Sequence, residues 1–323
     1  TITTSTCNDF FEAGGEFPEG LWEEVLEHVK ILEGKTGKRL GDAENPLLVS
    51  VRSGAPISMP GMMDTVLNLG LNDDTAQGLI NLTGDEWFVY DAYRRLITMF
   101  GDVVMHRERA KFDAVHRAEK EKEGVEGDTE LSVDGLKRTV EGMKAVYAEE
   151  LGQPFPVDPM VQLKRSIAAV FNSWNIPRAI TYRKAEGIPD DMGTACNIQL
   201  MVFGNMGNDS GSGVMFTRDP GNGENELFGE LLFNAQGEDV VAGIRTPIKL
   251  ADLEKEQPKL YTELGGIAET LESHYTDMQD LEFTIEKGVL YILQTRTGTR
   301  RGAGPGRASS SSGRRPPPTT STA

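Results

Sequence analysis

Apolar residues recur at helical spacing over residues 9–33, where Leu21, Trp22, Val25, Leu26, Val29 and Leu32 share a face behind Pro18. The pattern predicts a helix that stops at the turn-rich stretch Gly34 to Gly41. Ahead of it, Thr1 to Thr4 reads as the middle of a strand, as though the chain began inside a larger protein. Leu47 to Val51 is apolar except for Ser50 and lies between Asn45-Pro46 and Arg52-Ser53-Gly54. That predicts a buried central strand whose C-terminal end is delivered to a site. From Asp64 to about Gly152 the period is helical throughout, with the stripe Trp87, Tyr90, Tyr93, Leu96, Ile97, Phe100 and Val104, then Leu136, Val140, Met143 and Tyr147. Asp158-Pro159 joins an N-cap to a first-position proline, and predicts a helix through Leu163, Ile167, Val170 and Phe171 to a break at Asn172 to Pro177.

After Pro177 the pattern changes to strands, at Ala179 to Arg183, Thr194 to Phe203, Gly213 to Arg218, Leu227 to Asn234 and Leu281 to Arg296, with one helix over Pro258 to Tyr275. A helical block set among mixed strands indicates an α+β lobe and not a doubly wound sheet. Residues 299–323 are rich in Arg, Ser, Pro and Gly without apolar periodicity, and are expected to be a disordered tail. Every mainly apolar run is far shorter than the roughly 20 residues a membrane helix needs.

A formal net charge of -17 disfavours nucleic acid and anionic membranes as partners. An anionic ligand would need local positive charge, for which Arg52, Arg218 and Arg296 are candidates; an ordinary ion-paired arginine is the other reading of each. The two cysteines, Cys7 and Cys196, lack CxxC spacing, so neither a disulfide framework nor a zinc site is indicated and a reducing compartment is expected. His28, His106, His116 and His274 show no metal-ligand spacing.

Three segments carry candidate chemistry. In VRSGAPISMPGMMDT (Val51 to Thr65) a strand ends on an arginine, whose fork of donors suits phosphate oxygens, and glycines free the backbone for close approach. In GNMGNDSGSG (Gly204 to Gly213) glycines and serines between apolar strands suit an anion nest, or a flexible hairpin; the Walker and dinucleotide patterns are absent. In DLEFTIEKGVLYILQTR (Asp280 to Arg296) the alternation predicts a hairpin. A three-residue turn at Lys287, Gly288 and Val289 sets Glu282 opposite Gln294, Asp280 opposite Arg296 and Phe283 opposite Leu293. One face then carries two carboxylates, an amide and a guanidinium, an oxygen-rich set that suits Mg2+ with nucleotide phosphates, unless it is simply a solvated face.

The run SVRSGAPISMPGMMDTVLNLGLND (Ser50 to Asp73), with GSGVMFTRDP, GELLFNAQGEDVVAGIRTP and DMQDLEFTIEKGVLYILQTR following in order, resembles the pyruvate, phosphate dikinase family. The resemblance implies an α+β ATP-grasp fold with two lobes around a nucleotide cleft. It implies a first lobe of 1–70 and 158–203, an inserted helical subdomain of 71–157 and a second lobe of 204–298. Arg52 would contact the ATP phosphates, Gly61 and a Ser212-Gly213 turn would form glycine loops over the triphosphate, and Gln199 to Val202, with Met201, would be the adenine hinge. Asp280, Glu282 and Gln294 would hold magnesium and phosphate, with Arg296 and Glu238 also at the nucleotide; the role of Glu230 stays open. Arg52, Glu282 and Gln294 would be the catalytic groups.

In that family the ATP β-phosphoryl passes to a histidine on a separate domain, inorganic phosphate takes the γ-phosphoryl, and a third domain converts pyruvate to phosphoenolpyruvate. The histidine and pyruvate domains, a lysine segment and any homodimer contacts they make are expected outside this chain, in a cytoplasmic setting or a plastid. Two other readings are a non-catalytic nucleotide-binding protein on the same scaffold, and a related dikinase such as phosphoenolpyruvate synthase.

Overall fold

The computed structural model describes residues 1–242 and 246–298, and the predicted tail lies outside the described residues. The chain divides into two compact units, Thr1–Val202 and Phe203 onward, each taken here by itself.

The first unit opens with α1 (Thr4–Glu12) and α2 (Leu21–Thr36), followed by short β1 (Arg39–Leu40) and β2 (Pro46–Leu47). The expected strand at Thr1 to Thr4 reduces to a single bridge from Ile2 to Cys196, because Thr3 is already the N-cap of α1. Next come β3 (Val49–Gly54) and β4 (Thr65–Leu69). The helical pattern read from Asp64 therefore begins too early. Thr65–Leu69 is a strand because β3 pairs with it, Val51 opposite Val66 and Arg52 opposite Thr65.

Four helices follow, α3 (Asp73–Thr83), α4 (Glu86–Met99), α5 (Arg109–Glu123) and α6 (Val133–Leu151), with a π-helical turn at Phe100–Val104. Most of the predicted stripe points inward, with Tyr93, Leu96, Ile97, Phe100, Leu136, Val140, Met143 and Tyr147 buried, while Trp87, Tyr90 and Val104 are half-buried. After them run α7 (Pro159–Ser173), α8 (Pro177–Glu186) and β5 (Ala195–Leu200). The sheet order is β4-β3-β5, so β3 is central as predicted, and Leu163, Ile167, Val170 and Phe171 of α7 are fully buried in this unit. Asp158 caps α7, its carboxylate accepting from the Met160 N–H at 2.8 Å. Asp158→Ala is expected to lower the unfolding free energy by about 1 kcal/mol, measured by denaturant titration.

Ala179 to Arg183, expected as a strand, is helical. Pro177 occupies the first turn of α8, and Ala179 and Arg183, one turn apart, are its two buried residues. β-Branched Ile180 and Thr181 suggested a strand, but burial on a four-residue spacing decides for helix.

The second unit contains β6 (Gly211–Phe216), β7 (Phe228–Phe233), α9 (Gly237–Ala242), β8 (Ile248–Lys249), α10 (Leu250–Glu256), α11 (Pro258–Tyr275), β9 (Gln279–Glu286) and β10 (Val289–Thr297). Its five strands pair antiparallel in the order β10-β9-β6-β7-β8. One face carries Met215, Leu231, Leu281, Phe283 and Ile285, covered by Leu250 and Leu253 of α10 and Leu260, Leu264 and Ala268 of α11. On the other face Val214 and Leu232 meet Ala235 and Val240. With one side of the sheet committed to the core, Asp280, Glu282 and Glu286 on the alternate positions of β9 are left half-exposed, while Thr284 between them is buried.

Candidate functional site

The β9–β10 hairpin turns on two residues, not three. Lys287 and Gly288 have φ of 49° and 77°, and Glu286 pairs with Val289. Two positive φ angles define a type I′ turn, whose twist matches that of the flanking strands. Such a turn alone would set Glu282 against Leu293. The register instead shifts between Ile292 and Gln294, so that Phe283 faces Ile292 and not Leu293, while Glu282 faces Gln294 and Asp280 faces Arg296. A bulge at Leu293 thus restores the polar pairing that the turn would have broken. The Arg296 Nε donates to Asp280 Oδ2 at 2.8 Å, so Asp280 is already ion-paired in the protein alone.

Pairing extends this face across the sheet. Glu282 lies opposite Val214, Val214 opposite Glu230, and Glu230 opposite Lys249. Gln294, Glu282, Val214, Glu230 and Lys249 therefore form one rung over the five strands. At about 4.8 Å per strand, the Glu230 and Glu282 backbones stand roughly 10 Å apart across Val214. The sequence shows Glu230 as an acidic strand residue but not its rung partners, because those pairings join separate stretches of the chain. Among the described residues no group of three or more His, Cys, Asp and Glu is arranged to hold a metal ion. Arg218, a candidate anion ligand on sequence grounds, is committed to Glu272 of α11 at 2.8 Å.

Ser212 and Gly213 do not form a turn. Both lie inside β6, opposite Leu232 and Leu231. Ser212 is 2 % exposed and shares a hydrogen bond of 3.3 Å with Thr284. A Cβ at Gly213 would meet the Phe283 ring at 2.3 Å, so this glycine is required by packing against β9. The turn of the glycine-rich segment is instead Gly204 to Ser210. There the N–H groups of Met206, Asn208 and Asp209 have no acceptor among the described residues. The Glu238 side chain lies outside the described residues.

In the first unit Arg52 is the fourth residue of β3, opposite Asn197 on one side and Thr65 on the other. Beyond it the loop closes a β-turn, Met62 N–H to Met59 C=O at 3.1 Å, with Pro60 and Gly61 at its centre and Gly61 at φ 68°. Proline followed by a left-handed residue is the type II arrangement, and accounts for the glycine. Met59, Met62 and Met63 pack into a cluster with Trp174, Ala179 and Ile188. Arg178 of α8 donates to the Met62 carbonyl at 3.2 Å and pairs with Asp64, whose carboxyl is pushed up by burial and pulled back by that arginine. Gln199 sits opposite Ser50 in β5, and the Met201 N–H donates to the Leu48 carbonyl at 2.9 Å, continuing the pairing past the strand end.

The sequence profile described as "Pyruvate phosphate dikinase, AMP/ATP-binding domain" matches residues 11–260 and 248–314. This chain belongs to the pyruvate, phosphate dikinase AMP/ATP-binding domain family. It is 51% identical over 301 residues to "Pyruvate, phosphate dikinase" of Clostridium symbiosum, covering 93% of this chain and 34% of that protein. The match to "Pyruvate, phosphate dikinase 1, chloroplastic" of Arabidopsis thaliana is 54% over 304 residues, covering 94% of this chain and 32% of the relative. The Rhizobium meliloti "Pyruvate, phosphate dikinase" is 53% identical over 312 residues, 93% of this chain and 35% of its own length.

The chain thus spans about a third of the length of the dikinases it matches. As a member of the family it has an α+β fold of the ATP-grasp type. Its dikinase relatives include chloroplastic and bacterial proteins, so membership does not by itself name a compartment. Among the described residues no helix is long and apolar enough to cross a membrane.

Proposed function

We propose that the chain binds Mg-ATP as the nucleotide-binding part of a pyruvate, phosphate dikinase. In this reading the β9–β10 face takes metal and phosphate through Asp280, Glu282, Gln294 and Arg296, Arg52 takes phosphate oxygens, and Gln199 to Val202 takes adenine. The observation that carries it is the bulged register, which spends an extra residue to keep Glu282 beside Gln294 and Asp280 beside Arg296. A merely solvated face has no need of such a correction. The role read earlier for Ser212 and Gly213 passes to the loop Gly204 to Ser210, whose N–H groups at Met206, Asn208 and Asp209 suit phosphate oxygens. Residues 71–157 are taken as a helical subdomain within the first lobe.

The donor set fits magnesium. Glu282 and Asp280 stand two positions apart on one strand with the Gln294 amide across from Glu282, and magnesium takes one or two carboxylates plus phosphate oxygens and water. When bound, the ion neutralises charge on the oxygens of the transferring phosphoryl group. The chain's own groups position the nucleotide: the Arg52 fork and the loop N–H groups orient phosphate oxygens, and the Asp280–Arg296 pair fixes the edge of the acidic face.

The whole reaction is proposed by membership: ATP, phosphate and pyruvate interconverting with AMP, diphosphate and phosphoenolpyruvate, with a histidine carrying the phosphoryl group between the nucleotide and pyruvate steps. Calorimetric titration of the chain with ATP tests the nucleotide step. Saturable one-site binding that Mg2+ strengthens is the expected result, and absence of binding with Mg2+ present would sink the assignment.

A further inference from the structure

The glycine-rich loop of the second unit is fastened at both ends to one hairpin. At its start the Glu286 carboxylate, on the last residue of β9, accepts a hydrogen bond from the Phe203 N–H at 2.7 Å. At its end the Lys287 N–H donates to Ser210 Oγ at 3.0 Å, and the Gly288 N–H donates to the Asp209 carbonyl at 2.9 Å. The last two bonds are products of the type I′ turn, in which both residues have positive φ. A second support comes from the end of β7, where the Asn234 N–H donates to the Ser210 carbonyl at 2.8 Å and Asn234 Oδ1 accepts from the Gly207 N–H at 3.3 Å.

Glu286 is the one ionisable side chain in this set of contacts. It shares a face of β9 with Asp280 and Glu282, but lies four residues beyond Glu282, roughly 13 Å along the strand. That distance is too great for one metal ion to be shared between them. Its oxygen instead meets a backbone N–H at the root of a loop that contains Gly204 and Gly207, residues with the widest backbone freedom to lose on ligand binding.

We propose that Glu286 is a positioning residue, which through the Phe203 amide holds Gly204 to Ser210 in the conformation that presents the Met206, Asn208 and Asp209 N–H groups to the triphosphate of a nucleotide. The proposal rests on the nucleotide reading of this loop. A charge-assisted hydrogen bond orders the loop before the ligand arrives, so less conformational entropy is lost on binding. The hairpin then serves two ends of one ligand: its open face takes metal and phosphate, and its tip sets the loop.

The test uses the full chain with Glu286→Ala and Glu286→Gln, followed by amide hydrogen exchange over residues 203–210 and by Mg-ATP calorimetry. Glu286→Ala is expected to speed exchange across the loop and to weaken Mg-ATP binding roughly tenfold, the scale of one lost charge-assisted bond. Glu286→Gln keeps an oxygen acceptor and should recover most of both, which a general loss of stability would not do. Unchanged exchange in the alanine variant overturns the clamp; faster exchange with unchanged affinity overturns its role in binding, as does a glutamine variant no better than alanine. A wild-type chain that fails to bind Mg-ATP overturns the nucleotide reading, and the exchange arm then still decides whether Glu286 holds the loop.

Discussion

Replacing Glu282 with alanine should weaken Mg-ATP binding by about 1.5–3 kcal/mol, roughly 10- to 150-fold, the range for a hydrogen bond to a charged group. Glu282 sits on the half-exposed face of β9, between Val214 on one neighbour and Gln294 on the other, while Leu281 and Phe283 beside it in sequence point into the core. The substitution therefore removes a carboxylate without opening a cavity, and unfolding should change by less than about 1 kcal/mol. If Glu282 acts through the metal, the loss appears only with Mg2+ present. Arg52→Ala should cost a similar amount in affinity but keep the penalty when Mg2+ is withheld, because a guanidinium meets phosphate directly. Calorimetry of both variants with and without Mg2+ reads the difference. Unchanged affinity in both would place the nucleotide elsewhere.

Arg183→Ala should destabilise the first unit by about 2–4 kcal/mol, the size expected when a large buried side chain leaves a void and a buried carbonyl without its donor. Arg183 is among the largest fully buried side chains. Its guanidinium lies 4.2 Å from the Trp174 ring centroid, donates to the Trp174 carbonyl, and donates from Nε to Asp190 Oδ1 at 2.9 Å. Trp174 Nε1 in turn donates to the Asp190 carbonyl at 2.8 Å. Removing the arginine leaves a buried carbonyl without its donor and a void beside the indole.

The effect should reach the candidate site, because Trp174 packs in the same cluster as Met59, with Met62 and Met63 against it. Those methionines belong to the loop that follows Arg52. Thermal denaturation should show a fall of roughly 10 °C for a unit of this size, and hydrogen exchange should quicken over residues 55–64. A midpoint within a degree of wild type would show that the buried guanidinium contributes little.

The elements legible in the sequence are those whose signal is local. The α7 start was readable because Asp158 and Pro159 occupy adjacent positions with fixed roles, and its stripe of Leu163, Ile167, Val170 and Phe171 follows one period. Pro258–Tyr275 was legible for the same reason. So was the hairpin's polar face, since alternation along one strand constrains its neighbour. The family likeness rests on contiguous runs of sequence, which need no folding to be read.

Tertiary structure decided whatever depends on a partner distant in the chain. Thr65–Leu69 is a strand because β3 lies beside it, and residues 179–183 are helical because Ala179 and Arg183 are both buried, one turn apart, on α8. Ser212 and Gly213 belong to a strand because β7 and β9 flank them and the Phe283 ring fills the space a side chain would need. The Leu293 bulge, the rung that sets Glu230 and Lys249 in line with Glu282, and the clamp from Glu286 to Phe203 have the same origin. Period and capping are properties of neighbouring residues and survive in a one-dimensional string. Register between strands is settled only when separate stretches compete to bury their apolar faces and satisfy their backbone groups together.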